Sequence, residues 1–220
     1  MHTGWWLADT LHEQGLFTLL AWAFWVIFSI TLHELGHGVA AIRVGDDTPV
    51  RTGHMSLNPL VHMGPTSLIV FAVVGIAWGA MPVNPYRFRG WHADARVALA
   101  GPGVNAGLWV LCVAGFVLTK RFSAGDSGLS ENLQLFFWTG AYLNLVLLTL
   151  NLLPVPPLDG SRVLASFSRG YTRLVEGPNA ATFSLVGILF VFFVAADSIF
   201  AVSTRATAWA VIKLALLLPG

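Results

Sequence analysis

Long apolar runs alternate with short polar connections along this chain. The apolar segments lie at roughly 16–42, 66–81, 97–119, 133–153, 182–203 and 206–218. A membrane-spanning helix needs about 20 apolar residues at a rise of about 1.5 Å each. Segments 16–42, 97–119, 133–153 and 182–203 meet that length, whereas 66–81 is short and carries Gly75 and Gly79. Segment 206–218 is also short and contains Lys213. In the connection 43–63, Thr52, His54 and Ser56 alternate with Gly53, Met55 and Leu57, which predicts a short strand. Residues 120–132 are polar and Gly/Ser-containing, hence a loop, and 154–181 opens on a proline cluster. The pattern predicts an all-α polytopic membrane protein of about five to six membrane segments. A short re-entrant or strand-like element is expected between its first and second core helices. No repeat or low-complexity tract divides it, so residues 1–220 read as one domain, with a core at 16–168 and accessory C-terminal helices at 182–218.

Composition sharpens this picture. Hydrophobic types make up 55% of the 220 residues and charged types 10%, with a mean hydropathy of +0.70. Soluble domains carry about a quarter charged residues, so the deficit points to the lipid bilayer as the surroundings. A formal net charge of +1 gives no support to a nucleic-acid partner. Cys112 is the single cysteine, which excludes an internal disulfide and a cysteine-based metal cluster. Trp5, Trp6, Trp78 and Trp91 flank apolar runs, as interface anchors do. The first fifteen residues hold Asp9 and Glu13 but no Lys or Arg, and the apolar run after them is too long for a signal-peptide core. That run is expected to be a retained helix.

The chemistry concentrates in HELGH, residues 33–37, inside the first apolar run. His33 and His37 are spaced i, i+4 and share one helix face, so both imidazoles can reach one ion. Glu34 stands about 100° around the helix, placed to reach a water on that ion without binding the ion itself. This is the zinc-hydrolase helix signature. Three ionisable groups in five residues inside a span are costly unless they share a partner, and a divalent cation serves all three. Catalytic zinc takes three protein ligands and keeps a place for water. Candidates for the third are Asp159 in NLLPVPPLDG (151–160), His54, His62 and Asp197. Pro154, Pro156 and Pro157 end the helix before Asp159, and Gly160 permits close backbone approach. Asp159 equally suits a helix N-cap for 160–168. Gly103 and Gly107 form a small-residue pair that lets helices approach, and Asn105 beside them is a buried polar residue that either hydrogen-bonds into the core, the favoured role, or positions the site.

HELGH in an apolar helix, AGPGVN at 100–105 and NLLPVPPLDG at 151–160, in this order, resemble the site-2 protease family of intramembrane zinc metalloproteases. The resemblance covers about residues 20–165. It implies that His33, His37 and Asp159 bind one zinc ion, that Glu34 is the catalytic glutamate and that Asn151 lies near the active site. It implies a protein substrate that spans the membrane, cut within the bilayer in regulated intramembrane proteolysis. The chain departs from the family pattern in three ways: no PDZ or CBS module is evident, Ser161 stands where many members have a second glycine, and segment 66–81 is additional.

If Asp159 joins the histidines, an even number of crossings separates them, and segment 66–81 cannot cross fully. Arg43, Arg51, Arg87, Arg89, Arg96, Arg162, Arg169 and Arg173 then share a side, against Lys120, Arg121 and Arg205. The positive-inside tendency makes the first side cytoplasmic. The expectation is a multi-pass protein of the cell membrane with its active site nearer the cytoplasmic face. Glu34 is expected to act as general base, with Asn151 either stabilising the oxyanion or orienting a backbone group. Segment 52–57 is a candidate for pairing with an extended substrate. The oligomeric state is left unset. A transporter or ion-conducting protein, and a catalytically inactive metal-bound scaffold, are the alternatives.

Overall fold

Lipid offers the backbone no hydrogen-bond partners, so a chain this apolar closes its hydrogen bonds within helices. The structure, a computed structural model, describes residues 6–122 and 128–217, and no strand occurs among them. Trp5 and the centre of the 120–132 connection lie outside the described residues, as does the Trp6 side chain. Helix α1 (Trp6–Gln14) leads through Gly15, at φ +86°, into α2 (Leu16–Arg43). Then come α3 (Thr48–Arg51), α4 (Pro59–Val74), α5 (Ala93–Phe122) and α6 (Gly128–Asn151). Two short helices follow, α7 (Asp159–Phe167) and α8 (Arg169–Glu176), and then α9 (Ala180–Phe190) and α10 (Ala196–Leu217). Among the described residues, four helical stretches are long and apolar enough to cross a membrane: α2, α5, α6 and the whole of 180–217.

Helices α2, α5 and α6 form the core. The buried face of α2 recurs every four residues, through Ala21, Trp25, Ser29, His33, His37 and Ala41. Between helices in lipid there is no hydrophobic drive, so small residues that admit a partner decide where helices meet. The Trp25 ring fills the space that a side chain at Gly140 of α6 would need, and its indole N–H donates to the Phe136 carbonyl at 2.8 Å. A Cβ on Gly36 would lie 2.8 Å from Val104 and 2.9 Å from the Ala100 carbonyl of α5. Gly103 and Gly107 have nothing within 4 Å of such a Cβ. The close α2–α5 approach therefore runs through Gly36, and no described residue approaches at Gly103 and Gly107, where one was expected.

The connection from α2 to α5 starts and ends at one end of the bundle. The Asn84 N–H donates to Asp46 Oδ2 at 2.7 Å and the Arg89 N–H to the Val44 carbonyl at 2.7 Å. Between these pins, α4 is capped by Asn58, kinked at Gly64 before Pro65 and stopped by Gly75 in the left-handed region. The chain then returns extended along the helix. Trp78 exchanges two hydrogen bonds with the Ser67 hydroxyl, and the Ala80 N–H donates to the His62 carbonyl at 2.9 Å. Segment 66–81 is thus a helix-and-return hairpin.

Two details differ from expectation. Residues 52–57 form a turn, with Gly53 at φ +73°, and no neighbouring strand is present to pair with it among the described residues. The alternation there comes from turn residues, so the expected strand and its substrate-pairing edge are absent. Segments 182–203 and 206–218 join within α10 into one helical stretch, 180–217, and a single π-helical turn, Val191–Ala195, lies inside the first of them. Between the two segments stand Thr204 and Arg205, and neither breaks a helix.

Asp46 is fully buried, and its Oδ1 also accepts the Thr48 N–H at 3.0 Å. Burial alone would raise its carboxyl, but the Asn84 and Thr48 donors outweigh burial and hold it below the usual carboxylate range. The stability it contributes is present above the unfolded value of about 3.9 and is lost as pH falls through the lower folded value. Asp46→Asn should lower thermal stability in detergent at neutral pH by about 1–3 kcal/mol, since a buried donor loses its acceptor. The difference from wild type should shrink below about pH 4. In membrane vesicles, cysteines placed at the exposed Leu57 and Tyr86 should react with an impermeant thiol reagent from the same side. Labelling from opposite sides would contradict the hairpin. The native Cys112 is buried and does not compete.

Candidate metal centre

On the buried face of α2, one turn apart, His33 and His37 turn their Nε2 atoms toward each other at 3.0 Å. Both rings are buried. His37 Nδ1 lies 2.8 Å from the Val97 carbonyl of α5. A carbonyl only accepts, so Nδ1 carries the proton and Nε2 keeps its lone pair. His33 Nδ1 lies 2.6 Å from Asn105 Oδ1, which likewise leaves Nε2 facing inward.

Asp159 arrives from the far end of the core. After α6 ends at Asn151, the proline cluster unwinds the chain. It turns back so tightly that a side chain at Gly160 would strike the Leu152 and Leu153 carbonyls. Asp159 is the first residue of α7, whose cap is Leu158, so it is not the N-cap. Its Oδ2 stands 3.1 Å from His33 Nε2 and 3.3 Å from His37 Nε2, and it is buried with no hydrogen-bond donor in reach. One turn further on, Arg162 ties α7 to α5 through Asp94 at 2.7 Å. Ser161 fits in place of a second glycine by donating to the Leu158 carbonyl at 2.8 Å.

With a ring proton on each Nδ1, the two Nε2 atoms and the Asp159 carboxylate oxygen converge on one point. Ligands of a tetrahedral zinc lie about 2.0–2.2 Å from the ion, which places them about 3.3 Å from one another. The observed separations of 3.0–3.3 Å match that spacing. The donor set, two imidazoles and a carboxylate, also suits a borderline-soft divalent cation. His33, His37 and Asp159 are the one group of this kind among the described residues.

Beside this point is a cavity of about 200 Å³ lined by Glu34, Gly79, Met81, Asn151, Pro157 and Arg162 among others. Glu34 is buried, and a Cβ on Gly79 would sit 2.7 Å from its Oε1. The returning extended segment of the hairpin therefore passes directly over the carboxylate. Asn151 borders the cavity, with its amide donating to the Leu147 carbonyl of its own helix at 3.0 Å. A larger cleft of about 610 Å³ by Asp47, Arg51, Arg87 and Arg89 holds no histidine and no candidate nucleophile.

The other sequence candidates stay outside the cluster. His54 bonds to Thr52, His62 lies 2.6 Å from the Ser56 carbonyl, and Asp197 is exposed on α10. Of the two roles the sequence leaves to Asn105, contact with the site is present: its Oδ1 lies 2.6 Å from His33 Nδ1. Sequence reasoning missed Gly101, where a Cβ would overlap both imidazole Nε2 atoms. The signal was in AGPGVN, which lies inside α5; that helix begins at Ala93 and brings Gly101 and Asn105 level with the histidines.

A sequence model of Peptidase family M50 matches residues 122–194. A Bacillus subtilis protein, provisionally named zinc metalloprotease YwhC, is 39% identical over 145 residues, 63% of this chain and 65% of that protein. The chain thus spans just under two thirds of that relative's length. A Mycobacterium tuberculosis protein, provisionally named zinc metalloprotease Rip2, is 32% identical over 202 residues, 85% of this chain and 73% of that protein. A Methanocaldococcus jannaschii protein with the same kind of provisional name is 30% identical over 138 residues, 60% of this chain and 62% of that protein. No solved structure matches the chain.

Gly101→Ala should bring bound zinc from about one per chain to near zero, because the added methyl takes the space of the imidazole nitrogens. Gly103→Ala, with open space around it, should leave zinc content unchanged. Metal analysis of the purified proteins checks both.

Proposed function

Because the chain belongs to peptidase family M50, the site-2 family of zinc metalloproteases, we propose that it hydrolyses peptide bonds of membrane-spanning proteins within the bilayer. The observation that carries this reading is the meeting of three acceptors, His33 Nε2, His37 Nε2 and Asp159 Oδ2, with the Glu34 carboxylate in the same buried pocket. We assign the three as ligands of one zinc ion and Glu34 as the general base. A divalent ion at this position supplies Lewis acidity, polarising the scissile carbonyl and acidifying water.

The chain's own residues do the rest. Glu34 takes a proton from water as the water oxygen adds to the carbonyl carbon. It returns the proton to the departing amine as the C–N bond breaks, leaving a carboxyl and an amine. Asn105 and Val97 hold the ring protons of His33 and His37 on Nδ1, which turns both Nε2 atoms toward the metal position. Gly79 closes the pocket over Glu34 and keeps bulk water from its carboxylate. Asn151 has one amide hydrogen on the Leu147 carbonyl, and we assign the other hydrogen and Oδ1 to the substrate backbone.

The depth of the site supports a substrate within the membrane. Helix α2 runs nine residues beyond His33 and Glu34, to Arg43, which at about 1.5 Å each keeps them below the lipid surface. A substrate helix must unwind there, since helical carbonyls are already bonded. The arginines at the metal end favour a cytoplasmic-facing site in the cell membrane, and regulated intramembrane proteolysis is the process this chemistry fits. For the transporter alternative, Asp197 is exposed and Lys213 lies 5.8 Å over the Trp209 ring. Neither extends the metal cluster into a path.

Glu34→Gln should lower cleavage of a co-expressed single-span substrate by about 10²–10⁴-fold, the usual contribution of a general base, while zinc stays bound. His37→Ala should lose zinc and cleavage together. Cleavage by Glu34→Gln at the wild-type rate would reject the assignment.

A further inference from the structure

We propose that Asn144 and Asn105 form a two-amide relay that sets which nitrogen of His33 faces the metal position. The inference rests on the metal assignment above. Asn105 on α5 and Asn144 on α6 are both fully buried. Asn144 Nδ2 lies 2.9 Å from the Gly140 carbonyl, Asn105 Nδ2 lies 3.0 Å from Asn144 Oδ1, and His33 Nδ1 lies 2.6 Å from Asn105 Oδ1.

An isolated amide can turn over and exchange its donor and acceptor ends. Here the chain of bonds removes that freedom. The Gly140 carbonyl only accepts, so Asn144 must present its NH₂ there and its oxygen to Asn105. Asn105 must then present its NH₂ to that oxygen and its own oxygen to His33. His33 is left with its proton on Nδ1 and its lone pair on Nε2. All three bonds point one way, from the imidazole to a backbone oxygen that cannot reverse. A buried polar pair in lipid is costly unless satisfied, and each of these amides is satisfied in this one orientation. Asn144 touches neither ligand nor cavity, so it acts as a positioning residue.

The test compares two variants of similar size. In Asn144→Leu the anchor is gone, Asn105 is free to turn its NH₂ toward His33, and Nε2 becomes the protonated nitrogen. Zinc affinity, measured by chelator competition on the purified protein in detergent, should fall about 10–100-fold, as for the loss of an outer partner of a metal ligand. In Asn144→Asp the buried carboxyl takes up a proton, donates its O–H to Gly140 and accepts from Asn105, so affinity should stay within about threefold of wild type. Melting of the zinc-free proteins reports folding separately. The cobalt-substituted protein should show an altered visible spectrum for Leu and a wild-type spectrum for Asp. Equal loss in both variants, or none in Leu, overturns the relay. If wild-type protein binds no zinc and His37→Ala changes nothing, the metal assignment falls and the relay with it. If wild type and His37→Ala differ but Leu matches wild type, the relay alone falls.

Discussion

Two imidazole nitrogens and a carboxylate oxygen face one another within 3.0–3.3 Å on the buried face of α2, and the rest of the bundle is arranged around that meeting. In water such a cluster would be solvated. Inside an apolar bundle it is three acceptors in need of positive charge, and an ion that satisfies all three at once offsets the cost of burying each. The cluster also links distant parts of the chain. Residues 33 and 37 sit on the first core helix, Asp159 follows the third, and the second supplies Val97, Gly101 and Asn105 around the rings.

The helices reach that point through absences of side chain. Gly36 admits Ala100 and Val104, Gly101 leaves room for the two Nε2 atoms, Gly140 receives the Trp25 ring, and Gly160 lies against the carbonyls where α6 ends. In lipid, where burying apolar surface gives no advantage between helices, such fit and a few interhelical hydrogen bonds decide the packing. The polar pins follow the same economy: Asp46 closes the connection from α2 to α5, and Arg162–Asp94 holds α7 beside α5.

HELGH, the proline-broken NLLPVPPLDG and the alternation of long apolar runs were readable because each is local: a spacing along one helix, a ring that stops a helix, a length set by the bilayer. The misreadings were equally local in origin. Residues 52–57 alternate, but alternation without a neighbouring strand is only a turn. Gly103 and Gly107 have the spacing of a packing motif, but they lie on a side of α5 that meets no helix. Segments 182–203 and 206–218 look separate because Arg205 interrupts the apolarity, although charge does not interrupt a helix.

What the sequence by itself determined is the helical membrane class, the family, and which residues are candidates for the chemistry, since these follow from motifs, periodicity and residue types too costly to bury idly. Only the tertiary structure decided that Asp159 faces the histidines instead of capping its own helix. It likewise decided that the expected re-entrant segment 66–81 is a helix with an extended return, and that Gly101 and Asn105 stand against the histidine rings. Those facts depend on which face of one helix meets which face of another, and spacing along a single helix carries no information about its partner.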